Sequence, residues 1–370
     1  YAPRTVWFMI RVDGYSLLFS GIILLASLLV TLLAGEYLKC REKRSEAFYI
    51  LLLFSVTGML LIASSAHFLT FFLGLETLSA SLYGLIGYTR RERVSLEAAI
   101  KYLVLAAASS AFLLFGIGLI YADAGSMDFA RLLEIPRAAY SVVSVFGLGL
   151  IAVGVGFKLA WAPFHMWSPD VYQGAPAPVT ALIASGSKGA VFALLLRIAA
   201  EAGLPVGSRS FVALAVVATA TMFVGNLLAL GQRNLKRLLA YSSIAQMGYL
   251  LIPVLSGGVL GAPSAVFYLV SYMAAAIAAF GVIAIISARR ESGEVERISD
   301  YAGLSSSNPA LAAVLAISLL SLTGMPLTAG FFAKLYIFTA AADAGLWWLL
   351  VVGVVNTGMS AFYYLRVVYA

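Results

Sequence analysis

Eleven stretches of this chain are long and apolar enough to cross a bilayer. They lie at about 15 to 38, 48 to 66, 70 to 88, 97 to 121, 141 to 161, 179 to 200, 211 to 230, 238 to 255, 263 to 287, 309 to 341 and 346 to 368. A spanning helix needs about 20 mostly apolar residues, and the hydrocarbon offers no water to satisfy backbone groups, so each stretch must satisfy its own as a helix. The expected fold class is therefore an all-α polytopic membrane protein, with residues 1–370 forming a single transmembrane domain. Composition agrees: 62% of residues are hydrophobic and 11% charged, where a soluble domain is roughly half apolar and about a quarter charged.

The net charge of +7 does not point to nucleic acid, because the basic residues fall in short clusters between apolar stretches. Numbering the loops alternately tests the span count. One side collects Lys39, Arg41, Lys43, Arg44, Arg90, Arg91, Arg93, Arg233, Lys236, Arg237, Arg289, Arg290 and Arg297; the other collects Arg4, Arg11, Arg131, Arg137 and Arg209. Lys and Arg gather in cytoplasmic loops, so thirteen against five makes the first side cytoplasmic. One cysteine, Cys40, and two distant histidines, His67 and His165, leave no plausible ligand set for a metal, haem or iron–sulfur cluster. Any redox cofactor is expected elsewhere. The chain opens on Tyr1 with no short apolar core followed by a cleavage site, so no signal peptide is expected.

Two spans look broken. Pro163 follows Phe157-Lys158-Leu159-Ala160-Trp161-Ala162, and Gly324-Met325-Pro326 splits the stretch from 309 to 341. Proline removes a backbone donor and clashes with the preceding turn, and a membrane tolerates such a break only where protein or water satisfies the freed groups. The halves also echo each other. Tyr102-Leu103-Val104 returns as Tyr268-Leu269-Val270, and Ser79 with Gly84 as Ser243 with Gly248, about 165 residues later. Five spans separate the members of each pair, and an odd number reverses the direction of crossing, as in an inverted-topology repeat. The repeats would run from about 48 to 200 and from about 211 to 368.

A charged side chain at the bilayer centre costs several kcal/mol, so an intramembrane ionisable residue is a functional hypothesis by default. Glu76 lies near the middle of the third stretch, Lys188 at the centre of the sixth, Lys158 just before the first break and Lys334 just after the second. Lysine suits proton traffic because it gives up its proton readily when desolvated and regains it when a carboxylate or water approaches; arginine stays protonated. Two further residues are weaker candidates. Lys101, four residues after Glu97, is either a relay member or the ion-pair partner of Glu97. His165 could pass a proton or serve as a structural hydrogen bonder. The bland alternative for the whole set is static ion pairing between helices.

Other motifs fail. Ser185-Gly186-Ser187-Lys188-Gly189 lacks the first glycine and the preceding strand of a phosphate loop. Gly147, Gly149, Gly154 and Gly156 read as close helix packing rather than a dinucleotide fingerprint.

The run from Lys158 through Trp161, Pro163, His165 and Asp170-Val171-Tyr172-Gln173-Gly174-Ala175-Pro176-Ala177-Pro178-Val179 resembles the proton-translocating, antiporter-like subunits of respiratory complex I. Its latter half resembles the subunit-N branch more than the sister branches L and M or the Mrp sodium/proton antiporters. Further similarity runs through Glu76, Ser95 to Tyr102, Asn234 to Ser243, and Gly324-Met325-Pro326 to Lys334. The resemblance implies an antiporter-like fold of fourteen helices with inverted five-helix repeats and two broken helices, two helices preceding Tyr1 and one following Ala370. It implies a proton relay of Glu76, Lys158, Lys188 and Lys334, with no cofactor in this chain. NADH, FMN, iron–sulfur clusters and quinone are expected in other subunits. Implied partners are antiporter-like subunits L and M, small subunits such as K, and the lipid of a bacterial or archaeal cytoplasmic membrane. Two competing readings are an Mrp-type or stand-alone cation/proton antiporter, and a membrane anchor whose charges only pack.

Overall fold

The computed structural model describes residues 4–41, 45–135, 141–288, 290 and 293–370. Lys43, Arg44, Arg137 and Arg289 of the charge count lie outside them. A short hairpin, β1 (Arg4–Val6) and β2 (Ile10–Val12), precedes the helices and is the one strand pair among the described residues. The helices are α1 (Gly14–Arg41), α2 (Glu46–Ser64), α3 (Phe68–Ile86), α4 (Arg93–Ala124), α5 (Phe129–Glu134), α6 (Val142–Leu159), α7 (Trp167–Gly174), α8 (Ala177–Leu182), α9 (Lys188–Ala202), α10 (Arg209–Leu230), α11 (Leu235–Ser256), α12 (Gly258–Ala288), α13 (Leu304–Ser307), α14 (Pro309–Thr323), α15 (Ala329–Asp343) and α16 (Trp347–Tyr369). A π-helical turn, Ile183–Ser187, joins α8 to α9 in one span.

Ten described helices are long and apolar enough to cross a membrane. The expected span from 309 to 341 is present as two half-helices, α14 and α15, and α6 is followed across its own break by α7. Because α11 begins at Leu235, Lys236 and Arg237 are helical rather than part of a loop. Lys236 is fully buried. The loop charges of the topology count are thus fewer than the sequence suggested.

Lipid tails are as apolar as leucine, so close van der Waals packing at small residues has to hold such helices together. Three pairs show it. A Cβ added at Gly58 of α2 would lie 2.6 Å from the Gly74 carbonyl and 2.7 Å from the Leu78 nitrogen of α3; one at Gly225 of α10 would lie 2.7 Å from the Tyr241 carbonyl and 2.5 Å from the Ala245 nitrogen of α11. Gly58 and Gly225, Gly74 and Tyr241, and Leu78 and Ala245 are each 167 residues apart, so the same contact recurs in both halves. Gly116 of α4 meets Gly147 of α6 in the same way, at 2.6 Å, whereas Gly149 faces open space.

Burial is uneven. Within the spanning windows, 94% of residues are buried in α8–α9 and in α11, against 33% in α1 and α16. Those two spans are the centre of the fold, and outer helices such as α1 turn Leu24, Leu25, Leu28 and Leu32 outward. At the end of the bundle where α1 begins, Asp13 accepts the Ser16 backbone N–H at 2.8 Å and pairs with Arg197 at 2.8 Å and Arg11 at 2.9 Å. Burial pushes the Asp13 carboxyl up, but the Ser16 N–H and the guanidinium groups of Arg197 and Arg11 outweigh it and hold it below the usual range.

Candidate functional site

The two breaks are built alike. α6 closes with Ala160 in the left-handed region (φ 56) and α14 with Gly324 (φ 86), so each half-helix exposes C-terminal carbonyls inside the bundle. These groups are satisfied as the hydrocarbon demands. Trp167 Nε1 donates to the Phe157 carbonyl at 2.8 Å, and Ala162 N donates to Thr221 Oγ1 at 3.0 Å. At the second break Gln246 Nε2 donates to the Leu322 carbonyl at 3.1 Å and Lys334 Nζ to the Thr323 carbonyl at 2.8 Å. Lys158 stands in the last turn of α6. Both lysines therefore sit at the negative end of a half-helix, where the helix dipole favours a cation.

The three central lysines share one design. Lys158, Lys188 and Lys334 are each at most 4% exposed. Lys158 Nζ donates to Ser79 Oγ at 2.6 Å and to Tyr102 Oη at 3.2 Å; Lys188 Nζ donates to Ser243 Oγ at 2.7 Å; Lys334 Nζ reaches Thr357 Oγ1 at 3.3 Å. Each also stands over an aromatic ring, Tyr102 at 5.2 Å, Tyr172 at 5.5 Å and Tyr249 at 4.6 Å respectively. Hydroxyls and ring faces stabilise an ammonium without neutralising it, and a hydroxyl also accepts and donates, so it can hand a proton on. Among the described residues no carboxylate lies within ion-pair distance of any of the three.

Glu76, too, meets a hydroxyl. It is half-buried, and its Oε1 accepts from Ser110 of α4 at 2.5 Å. Ser79, which receives the Lys158 ammonium, lies one turn further along α3, so Glu76 and the Lys158 site share a helix face without direct contact. Lys101 is 43% exposed in its side chain and bridges Glu97 at 2.7 Å and Asp170 of α7 at 2.9 Å. His165 is buried between the half-helices, and its Nδ1 has no partner among the described residues.

Two features were not foreseen. The π-helical turn ends at Ser187, directly before Lys188; such turns recur at functional sites because the extra residue re-aims the side chains that follow. The second is a hydroxyl link. Ser243, which holds Lys188, also meets Tyr172 Oη at 3.2 Å and Tyr272 Oη at 2.6 Å. Tyr272 lines a small cavity of mixed lining with Gln246, Tyr268, Ser271, Ser321, Leu322 and Lys334. Lys188 and Lys334 thus border one cavity, Lys188 through Ser243 and Tyr272, and Lys334 directly. Ser243 was visible as a repeat echo and as the end of the Asn234 to Ser243 run, and no sequence signal marked Tyr272.

Residues 65–360 match the transmembrane family described as NADH:quinone oxidoreductase/Mrp antiporter. Among solved structures, a chain of respiratory complex I from Thermus thermophilus with bound aureothin superposes with a TM-score of 0.85 at 38% identity, covering 100% of this chain and 78% of that one. A chain of the membrane-bound sulfane sulfur reductase, an archaeal respiratory membrane complex, gives 0.85 at 27% identity, covering 95% and 72%. A chain of the Mrp complex from a Dietzia species gives 0.84 at 27% identity, covering 97% and 66%. The expected antiporter-like fold is therefore the observed one.

Proposed function

The chain belongs to the NADH:quinone oxidoreductase/Mrp antiporter transmembrane family, and from that premise we propose that it is a proton-translocating membrane subunit of an NADH-quinone oxidoreductase, of the subunit-N type. Protons move from the cytoplasm to the outside through Glu76, Lys158, Lys188 and Lys334, driven by quinone reduction elsewhere in the complex. The two repeats span about 48 to 200 and 211 to 368. Antiporter-like subunits L and M and small subunits such as K are its neighbours in a bacterial or archaeal cytoplasmic membrane. NADH, FMN, iron–sulfur clusters and quinone are held by those other subunits.

One observation carries this reading: three lysines, each inside a span and at most 4% exposed, rest on hydroxyls and aromatic rings, with no carboxylate among the described residues paired to them. A lysine kept for structure would be expected to hold an anion, since an uncompensated buried charge is strongly destabilising. A lysine that stores a proton at mid-membrane needs both protonation states within reach, which a permanent ion pair would prevent; an ion-paired lysine can pass a proton only where its carboxylate partner itself takes one up. Lys101, exposed and paired to Glu97 and Asp170, and His165, buried with an Nδ1 unpartnered among the described residues, are secondary members. In this mechanism a charge change at Glu76 reaches Lys158 across one turn of α3. The proton held at Lys188 then passes by Ser243 and Tyr272 toward Lys334.

The test is Lys188→Met in the assembled complex. Loss of proton translocation at normal assembly is expected; translocation equal to the unmodified complex overturns the relay. The likeness to an Mrp complex chain favours one second reading, a cation/proton antiporter subunit, and Na⁺-dependent flux by the complex containing this chain would select it.

A further inference from the structure

We propose that Glu294 and Lys236 form the proton-loading site of the relay on its basic, cytoplasmic side. The inference rests on the proton-carrying reading above and adds where the proton enters.

Lys236 lies in the first turn of α11 and Glu294 in the connection between α12 and α13. Their side chains, 0% and 4% exposed, form an ion pair. The Glu294 carboxylate also accepts from Tyr37 of α1 and from the Ala177 N–H at the start of α8, the latter at 2.9 Å. The Lys236 ammonium donates to the Gln173 carbonyl at 2.9 Å and the Ala175 carbonyl at 2.6 Å, at the end of α7. The pair is held in place by its neighbours. Leu235 N donates to the Glu296 carbonyl at 2.7 Å, Ile298 N to the Arg233 carbonyl at 3.0 Å, and Asn234 pairs with Arg297 as an isolated bridge. Arg41 holds the Gly293 carbonyl at 2.5 Å and Glu92 at 2.8 Å.

This placement is what a loading site needs. Lys236 and Ser243 are seven residues apart on α11, two turns on one face and about 10 Å along the axis. Ser243 is the residue that holds Lys188. α7 offers a second connection, since Tyr172, whose hydroxyl meets Ser243, directly precedes the Gln173 carbonyl that Lys236 grips. Glu294 accepts from the N–H that opens α8, the start of the span carrying Lys188, and Arg41, Glu92, Glu296, Arg290 and Asp300 are charged groups in its surroundings.

The step balances as follows. The Glu294 carboxylate takes a proton from the cytoplasm and becomes neutral, which leaves the Lys236 ammonium unpaired. Lys236 releases its proton inward toward a neutral Lys188. The proton on Glu294 then moves to Lys236 and restores the ion pair. One proton has travelled from the cytoplasm to Lys188, and the pair is unchanged.

The experiment uses the native complex containing this chain, reconstituted in liposomes, with K236R, E294Q and, as a control, K188M. Arginine keeps the charge and the donors that a structural role requires but cannot release a proton. Assembly at the unmodified level with proton translocation reduced at least about tenfold, a floor below the roughly 10²–10⁴-fold that a positioned acid–base group contributes, is the expected result for K236R and E294Q. Unreduced translocation in K236R, with K188M blocked, overturns the loading site and leaves the relay standing. Unreduced translocation in K188M overturns the relay itself. If K236R does not assemble, E294Q decides by the same measure, and failure of both to assemble makes the pair structural and overturns the proposal.

Discussion

Replacing Lys158 with methionine separates what the lysine does for the fold from what it does for proton transfer. Methionine has a similar reach and no charge, so the burial cost of the ammonium, about 2.5–3.5 kcal/mol at a helix centre, is removed. Against this stand the lost hydrogen bond to Ser79, about 1.5–3 kcal/mol for a charged donor, and the contact with the Tyr102 ring, about 0.5–2 kcal/mol. These terms nearly cancel. What decides the outcome is the hydroxyls left behind. Ser79 keeps a partner, because its Oγ also donates to the Leu75 carbonyl at 2.5 Å. Tyr102 is 1% exposed and its hydroxyl contacts Lys158, so the substitution orphans it at about 1–3 kcal/mol. Lys158→Met should therefore lower the thermal midpoint of the purified protein by a few degrees. Lys158→Met with Tyr102→Phe should recover most of that loss, while proton translocation stays abolished in both. A double variant no more stable than the single one would refute the orphan argument, and a double variant that pumps would refute the role of Lys158 in the relay.

Other expectations follow from geometry outside the relay. The Asp13 carboxyl is held below its usual range in the folded protein, so its contribution to stability is present above the ordinary carboxylate range and fades as pH falls through the folded value; Asp13→Asn should flatten the loss of stability below about pH 4 in acid-unfolding curves. Gly58→Ala and Gly225→Ala each push a methyl into backbone 2.5–2.7 Å away, and each should destabilise by about 1–3 kcal/mol. Gly149→Ala, facing open space, should be neutral in the same thermal assay.

Much of the site was legible because a membrane makes charge conspicuous. Lys158, Lys188 and Lys334 stand out in apolar stretches, and Pro163 and Gly324-Met325-Pro326 mark the places where the helix has to stop. Lys236 and Glu294 were not legible in the same way. A lysine next to Arg233 and Arg237, and a glutamate in a polar connection between spans, carry the local pattern of solvated loops, and only packing shows that both are buried.

The sequence by itself determined that the chain is a bundle of spanning helices, where the bundle is broken, and which ionisable residues lie at bilayer depth, since each follows from a local cost of exposing backbone or charge to hydrocarbon. Tertiary structure alone decided the partners: Ser110 for Glu76, Ser243 for Lys188, the Thr323 carbonyl for Lys334 and Glu294 for Lys236. The reason is range. Hydrogen bonds and ion pairs act over about 3 Å between residues tens to hundreds of positions apart, and only the packing of helices at residues such as Gly58 and Gly225 sets which side chains come that close.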